Sequence, residues 1–332
     1  MVKPIIGITM GDAAGIGPEI TTKAVTSGEI QRICKPIVIG DKRIMKEAMK
    51  IAKLQNIDIN PVTKVDQAKF MRGIIDVYDL QNLKPSKVKV GKISAACGKA
   101  AVEYLKKAIN LAMDQEIDAI TTAPINKEAI NKAGFKYQGH TEILAERTGA
   151  KNYAMMFISD ILWIMLVTTH LAIKDISKNI DKKKVLNTIK LANDVVKKLR
   201  QKKPRIGVAG LNPHAGEAGL FGDEEEKIIA PAISEAKKLG INVKGPISPD
   251  AIFYLANIGM FDIVVSMYHD QGLIPLKLLS FNRSVNVTVG LPIIRTSVDH
   301  GTGFDIAGKG WANPTSLIEA IKVATHFVHS SK

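Results

Sequence analysis

Three histidines have the type and setting for metal chemistry: His170 in T-T-H-L, His214 in N-P-H-A-G-E and His269 in Y-H-D-Q-G. Three neutral imidazoles on one divalent ion leave a coordination position open, which is how catalytic rather than structural metal sites are built. A lone histidine is more often a satisfied structural residue, but the chain has only seven in all, and three of them lie in polar stretches with Gly or Pro nearby. Asp270 beside His269 and Glu217 near His214 are placed to accept from the far ring nitrogen and fix the tautomer. The pattern points to an enzyme.

Other segments carry groups suited to anions. Gly11-Asp12-Ala13-Ala14-Gly15-Ile16-Gly17-Pro18-Glu19 lies between a strand-like and a helix-like run. Its glycines permit a tight turn and a close approach to a ligand, and the helix start offers free N–H groups. It does not match the G-x-G-x-x-G dinucleotide fingerprint, and a structural βα turn would use the same glycines. Thr121 to Lys127 reads as a strand end followed by a helix capped by Asn126, and Gly139-His140-Thr141-Glu142 sets an imidazole beside a hydroxyl, a pair suited to phosphate or carboxylate. Lys277, Asn286 and Arg295 add two cations and an amide able to surround an anionic substrate. A polar, glycine-punctuated loop from Asp299 to Gly310 is consistent with a backbone-lined nucleotide pocket.

These groups need a scaffold, and the hydrophobic pattern supplies one. Short β-branched runs alternate with amphipathic segments: strands are expected at 5–9, 37–39, 74–77, 118–121, 206–209, 263–265 and 285–288. Helices are expected over 17–26, 42–53, 94–115, 181–199, 223–239 and 315–328. Strand-like runs 153–158 and 162–168, divided by Ser159-Asp160, read as a hairpin that breaks the βα alternation. The chain is α/β, and His170, His214 and His269 all fall near strand ends.

Composition narrows the class further. With 332 residues and 46% hydrophobic content the chain can bury a large core, enough for two domains. It holds no apolar run of transmembrane length, and its opening Met1-Val2-Lys3-Pro4 leads straight into strand-like sequence, so a cytoplasmic protein with no membrane partner is expected. Two cysteines, Cys34 and Cys97, exclude a disulfide framework and a thiolate zinc site. The net charge of +14 invites a nucleic-acid reading, but the lysine clusters at 182–184, 197–198 and 202–203 lie on or beside one helix-like segment, and aromatics are only 5%. Without stacking platforms this reads as a solvated basic face, with no nucleic-acid partner.

The ordered motifs G-D-A-A-G-I-G-P-E, T-A-P-I-N-K, G-H-T-E, L-N-P-H-A-G-E, Y-H-D-Q-G-L-I-P-L-K, V-N-V-T-V-G-L-P and R-T-S-V-D-H-G-T-G-F-D-I-A-G together resemble the 4-hydroxythreonine-4-phosphate dehydrogenase family nearly from end to end. Two departures are visible: Ala13 where the family usually has Pro, and Gly303 where it usually has Ala. The resemblance implies an isocitrate/isopropylmalate dehydrogenase-like fold of two α/β/α domains with the active site in the interdomain cleft. Residues 1–125 plus 285–332 would carry the NAD-binding loops, and 126–284 the metal ligands and dimerisation elements. It implies one divalent metal ion (zinc, magnesium, manganese or cobalt) on His170, His214 and His269, and a phosphorylated hydroxy-acid substrate held by His140, Thr141, Lys277, Asn286 and Arg295. Lys277 also counts among the catalytic residues. It further implies NAD held by Gly11, Asp12, Gly15, Gly17, His300, Gly301, Asp305, Gly308 and Asn313, and a homodimer whose active site draws on both subunits.

What the resemblance implies for the reaction is oxidation and decarboxylation of a 4-phosphorylated four-carbon hydroxy acid. One branch of the family acts on D-threonate or D-erythronate 4-phosphate and yields dihydroxyacetone phosphate. Another serves pyridoxine biosynthesis by converting 4-phosphooxy-L-threonine to 3-amino-2-oxopropyl phosphate. The opening Ile-Thr-Met-Gly-Asp and the motif positions look closer to the first, although no residue is identified that reads the hydroxyl or amino group at C2. A phosphate acyltransferase of the same fold group, or a non-catalytic phosphate-binding protein, are the readings from other classes.

Overall fold

The computed structural model describes residues 2–281 and 283–331, and the chain divides into two units, Met1–Lys151 with Leu291–Lys332 and Asn152–Gly290. The first opens with β1 (Ile5–Thr9), α1 (Gly17–Val25), α2 (Gly28–Ile33), β2 (Lys35–Gly40), α3 (Lys42–Ile51), β3 (Asp58–Val62) and β4 (Ile74–Asp79). It continues with α4 (Ala95–Met113), β5 (Ala119–Thr122), α5 (Lys127–Lys132) and α6 (His140–Thr148). Local chemistry sets several of these boundaries. Pro18 in the first turn of α1 surrenders an N–H that no helix bond needs, and the Asp41 carboxylate caps α3 by accepting from the Arg43 N–H at 3.0 Å. Asn126 caps α5 by accepting from the Ala129 N–H at 2.8 Å, as the sequence reading expected.

The second unit runs through β6 (Ala154–Ile158), β7 (Trp163–Leu166), α7 (Lys182–Arg200), β8 (Ile206–Ala209), α8 (Ala230–Lys238) and β9 (Val243–Ile247). α9 (Pro249–Asn257), β10 (Ile263–Ser266), α10 (His269–Ser280) and β11 (Val285–Val289) complete it. Its strands lie in the order β11-β6-β7-β10-β8-β9. The pairs of β6 with β7 and with β11 are antiparallel, so the hairpin read at Ser159-Asp160 is present, whereas β7, β10, β8 and β9 pair in parallel. The core here gathers Phe157, Ile164, Leu166, Ile252, Val264 and Leu276.

The chain then returns to the first unit as β12 (Arg295–Ser297) and α11 (Thr315–His329). The six strands of this unit are ordered β3-β4-β2-β1-β5-β12, and every neighbouring pair is parallel. β1 and β5 are buried along almost their whole length, as central strands of a parallel sheet must be.

The unit boundaries differ from those expected at 125/126 and 284/285. Residues 126–151 belong with the first unit because Ile130 of α5 and Ile143 and Leu144 of α6 are buried in its core, worth roughly 1.5–3 kcal/mol for each side chain. α5 also presses so closely on α4 that a Cβ at Gly98 would stand 2.2 Å from the Ala129 carbonyl oxygen. Residues 285–290 fall in the second unit, since β11 takes its ladder from β6. Among the described residues no helix is long and apolar enough to cross a membrane.

Candidate active site

In the second unit β10 lies between β7 and β8, all three parallel, and each runs out at its carboxyl end into one of the three histidines: β7 into His170, β10 into His269, β8 into His214. That edge, where the chain order reverses between β8 and β10, is where open α/β sheets place ligands. The segments beyond the strands are tied together. Val167 N–H donates to the Ser266 carbonyl at 2.9 Å, and the Thr168 hydroxyl donates to the Met267 carbonyl at 2.7 Å. Buried Gln271 accepts from the Met267 N–H and donates to the Gly210 carbonyl, both at 2.7 Å. These bonds bring the His170 and His269 rings to 5.7 Å between centroids. His269 Nδ1 lies 2.6 Å from Asp270 Oδ1, the tautomer-fixing contact read from their adjacency, which turns Nε2 toward any incoming ion.

His214 is placed differently. Its exposed ring packs against Phe221 at 6.1 Å, and the backbone at His214, Ala215, Glu217 and Ala218 is left-handed, with φ of 51°, 53°, 44° and 53°. Among the described residues no three His, Cys, Asp or Glu side chains are grouped closely enough to hold an ion. The structure thus pairs two of the three histidines and leaves the third on a neighbouring loop. Among the described residues no side-chain bond joins Glu217 to His214; the carboxylate beneath this loop is that of Glu225, which nothing in the sequence pattern singles out.

The anion-binding candidates His140, Thr141 and Arg295 share the first unit. α6 begins at His140 with Gly139 as its N-cap, so Thr141 sits inside the first helical turn rather than capping it. His140 accepts no charge readily: burial and the Arg295 guanidinium push its pKa well below the ordinary imidazole value, against a hydrogen bond to the Ala123 carbonyl. Its Nε2 is enclosed and has no partner among the described residues. Arg295, at the start of β12, is buried and donates from Nη2 to the Thr122 hydroxyl at 2.8 Å. Burial pulls its pKa down to about 9, opposed by Glu142. A neutral imidazole with an enclosed Nε2 and a desolvated guanidinium thus lie within electrostatic reach of each other, and the guanidinium is a group suited to an anion.

Glycine-rich loops meet at the carboxyl ends of β1 and β5, where the chain order reverses in this sheet. Gly11 is left-handed (φ +74°), and a Cβ there would stand 2.4 Å from the Pro124 carbonyl oxygen, so only glycine fits. Asp12 is fully buried. One carboxylate oxygen accepts from the Ala14 N–H at 2.9 Å, the other has no partner among the described residues, and burial raises its pKa to about 6. Glu19 and Lys23 fasten the second loop to α1: the carboxylate accepts from the Ala312 N–H at 2.9 Å, and the ammonium donates to the Gly310 and Ala312 carbonyls at 2.9 and 2.8 Å. Ile16 N–H also donates to the Thr302 carbonyl at 2.8 Å.

A cavity of about 310 Å³ is lined by Gly15 and Gly308 together with Pro18, Ile44, Ile51 and Val90, a mostly apolar wall of the kind that receives a flat ring. Gly17 instead packs over the Met10 carbonyl. His300, Gly301 and Asp305 are exposed, and His300 Nδ1 lies 2.9 Å from the Gly301 carbonyl. Asn313 accepts from the Thr315 N–H and hydroxyl ahead of α11. Lys277 lies on α10, two turns or about 12 Å beyond His269, with its ammonium 5.7 Å from the Phe281 ring centroid, and Asn286 lies on β11. Both cysteine thiols are buried and pushed up, Cys34 to about 12 and Cys97 to about 11, so neither is a nucleophile.

Residues 32–324 match the model of the family described as pyridoxal phosphate biosynthetic protein PdxA. A protein of Oceanobacillus iheyensis named "Putative D-threonate 4-phosphate dehydrogenase" is 50% identical over 327 residues, 97% of each chain. The crystal structure of 4-hydroxythreonine-4-phosphate dehydrogenase from Klebsiella pneumoniae is 39% identical and superposes with a TM-score of 0.90 over 98% of both chains. A β-decarboxylating dehydrogenase from Thermococcus kodakarensis shares the fold alone, at 14% identity and a TM-score of 0.51 over 96% of this chain and 82% of that one.

Proposed function

The chain belongs to the PdxA family and is a dehydrogenase, and we propose that it oxidises D-threonate or D-erythronate 4-phosphate at C3 with NAD as acceptor and decarboxylates the product to dihydroxyacetone phosphate. The balance closes: the C3 hydroxyl loses a proton and C3 a hydride, giving a β-keto acid and NADH. The C1–C2 bond then breaks, releasing carbon dioxide, and C2 of the resulting enolate takes a proton. The Oceanobacillus relative's name supports this substrate. The observation that carries the reading is the delivery of three imidazoles by three adjacent parallel strands at one sheet edge.

The donor chemistry suits a divalent ion, zinc, magnesium, manganese or cobalt: His269, its Nδ1 engaged by Asp270, stands ring to ring with His170, and His214 would have to join that pair from its own loop. When bound, such an ion would acidify the C3 hydroxyl and stabilise the enolate, and NAD would take the hydride. The chain's own groups do the rest. His140, Thr141 and Arg295 hold the phosphate: the Arg295 guanidinium donates to its oxygens, and a protonated phosphate oxygen donates to the enclosed Nε2 of His140, whose other nitrogen is engaged by the Ala123 carbonyl. Lys277 and Asn286 orient the carboxylate end. Gly11, Asp12, Gly15, Gly17 and the loop from His300 to Asn313 form the NAD site, the cavity beside Gly15 and Gly308 taking its apolar ring. An exposed apolar stripe of Ile274 and Leu278 on α10 with Phe281 just past its end (68%, 84% and 71% exposed) supports a homodimer.

The PdxA description and the Klebsiella enzyme's name favour a second reading, 4-phosphooxy-L-threonine converted to 3-amino-2-oxopropyl phosphate. Both substrates are to be offered to the purified chain with NAD and a divalent ion, following NADH and the three-carbon product. Dihydroxyacetone phosphate formed in step with NADH is the expected result. NADH from the amino substrate alone establishes the second reading, and none from either overturns both.

A further inference from the structure

The loop that carries His214 is fastened from beneath by a carboxylate. Glu225 is 3% exposed, and its three bonds come from neutral N–H groups: Oε1 accepts from the Leu211 and Asn212 backbones at 2.7 and 2.8 Å, and Oε2 from the Asn212 side-chain amide at 2.9 Å. The same amide donates to Glu224 Oε2 at 2.7 Å, and Glu224 Oε1 accepts from the Ser177 hydroxyl at 2.5 Å. A buried carboxylate held by neutral donors is costly to desolvate, and its oxygens are what satisfy the Leu211 and Asn212 N–H groups. The loop above it is one that cannot hold itself. His214, Ala215, Glu217 and Ala218 all adopt left-handed backbone that side chains with a Cβ disfavour, and such strain persists only where surrounding structure enforces it. Glu225 also opens a π-helical turn, Glu225–Ile229, ahead of α8, a local widening that recurs at functional sites.

We propose that Glu225 is the positioning residue of the His214 loop: it pins the backbone at Leu211 and Asn212 so that the imidazole is presented for a divalent ion. The proposal rests on the divalent-ion reading above and deepens it. A shorter acid keeps the charge but loses the reach to both N–H groups, whereas the isosteric amide keeps an acceptor in place of Oε1. Reach therefore separates the two variants.

The full chain, freed of metal, is titrated with Co²⁺, reading affinity by calorimetry and ligand geometry by the visible d–d absorption. Glu225→Asp should weaken Co²⁺ binding about 10-fold to 100-fold and shift the band, and Glu225→Gln should recover most of the affinity, with unchanged far-UV circular dichroism in both. Wild-type affinity and band in Glu225→Asp, while His214→Ala loses the ion, would overturn the role of Glu225 and leave the ion reading intact. If the unaltered chain takes no Co²⁺, or His214→Ala binds it unchanged, the ion reading fails and this inference with it.

Discussion

Replacing Asp12 by Asn should change how stability depends on pH, by an amount the structure sets. Asp12 is fully buried in the loop after β1 with one carboxylate oxygen unpartnered among the described residues, and burial raises its pKa from 3.8 to about 6. The native pKa lies above the unfolded one, so between about pH 4 and 6 the native state holds more protons, and stability falls as pH rises through that window. At about 1.4 kcal/mol per pKa unit the full loss is about 3 kcal/mol, of which about 2.5 kcal/mol develops between pH 4 and pH 8. The Asn variant has no charge to desolvate. Whatever constant cost its amide brings in place of the orphan oxygen, its stability relative to the parent should improve by about 2.5 kcal/mol from pH 4 to pH 8. With an unfolding entropy of roughly 0.7 kcal/mol/K for 332 residues, that is a relative rise in Tm of about 3–4 °C. Thermal unfolding of both proteins across this range reads it directly. Parallel curves for the two would show that Asp12 ionises as freely when folded as when unfolded, and the burial argument would fall.

Two further outcomes follow from the first unit. Arg295→Ala should raise the KM for the 4-phosphorylated substrate about 10-fold to 100-fold, the worth of a lost charge-assisted bond, with a smaller effect on kcat; a KM within twofold of the parent would remove Arg295 from the phosphate site. Gly11→Ala would set a Cβ 2.4 Å from the Pro124 carbonyl oxygen at a φ of +74°, and should cost about 2–4 kcal/mol in denaturant unfolding; an unaltered midpoint would contradict the close approach of the two loops.

The α/β class, the strands carrying the motifs and the hairpin at Ser159-Asp160 were legible because period-2 and period-3.6 patterns survive in the primary structure. Elements whose sequence argues against them were not. α10 contains Gly272 and Pro275, which mark turns elsewhere, and it forms a helix because Leu273 and Leu276 pack into the core of the second unit. β3 and β9 were missed as well: each contains a Pro, and they pair at the edges of their sheets, where Pro is tolerated.

The same division runs through the candidate site. Residue types near strand ends named His170, His214, His269, His140 and Arg295, since imidazole and guanidinium chemistry belongs to the side chain wherever it stands. The adjacency of Asp270 to His269 also needed no fold, because neighbours in the chain are neighbours in space. Which of these groups meet depends on strand order, and strand order is a long-range property. Only the tertiary structure put β10 between β7 and β8 and so paired His170 with His269 while leaving His214 on a loop of its own. Only it buried Asp12 and enclosed His140 Nε2, and only it ran Glu225 beneath the His214 loop, a residue whose letter in an E-E-E run reads as solvent-facing charge until packing desolvates it.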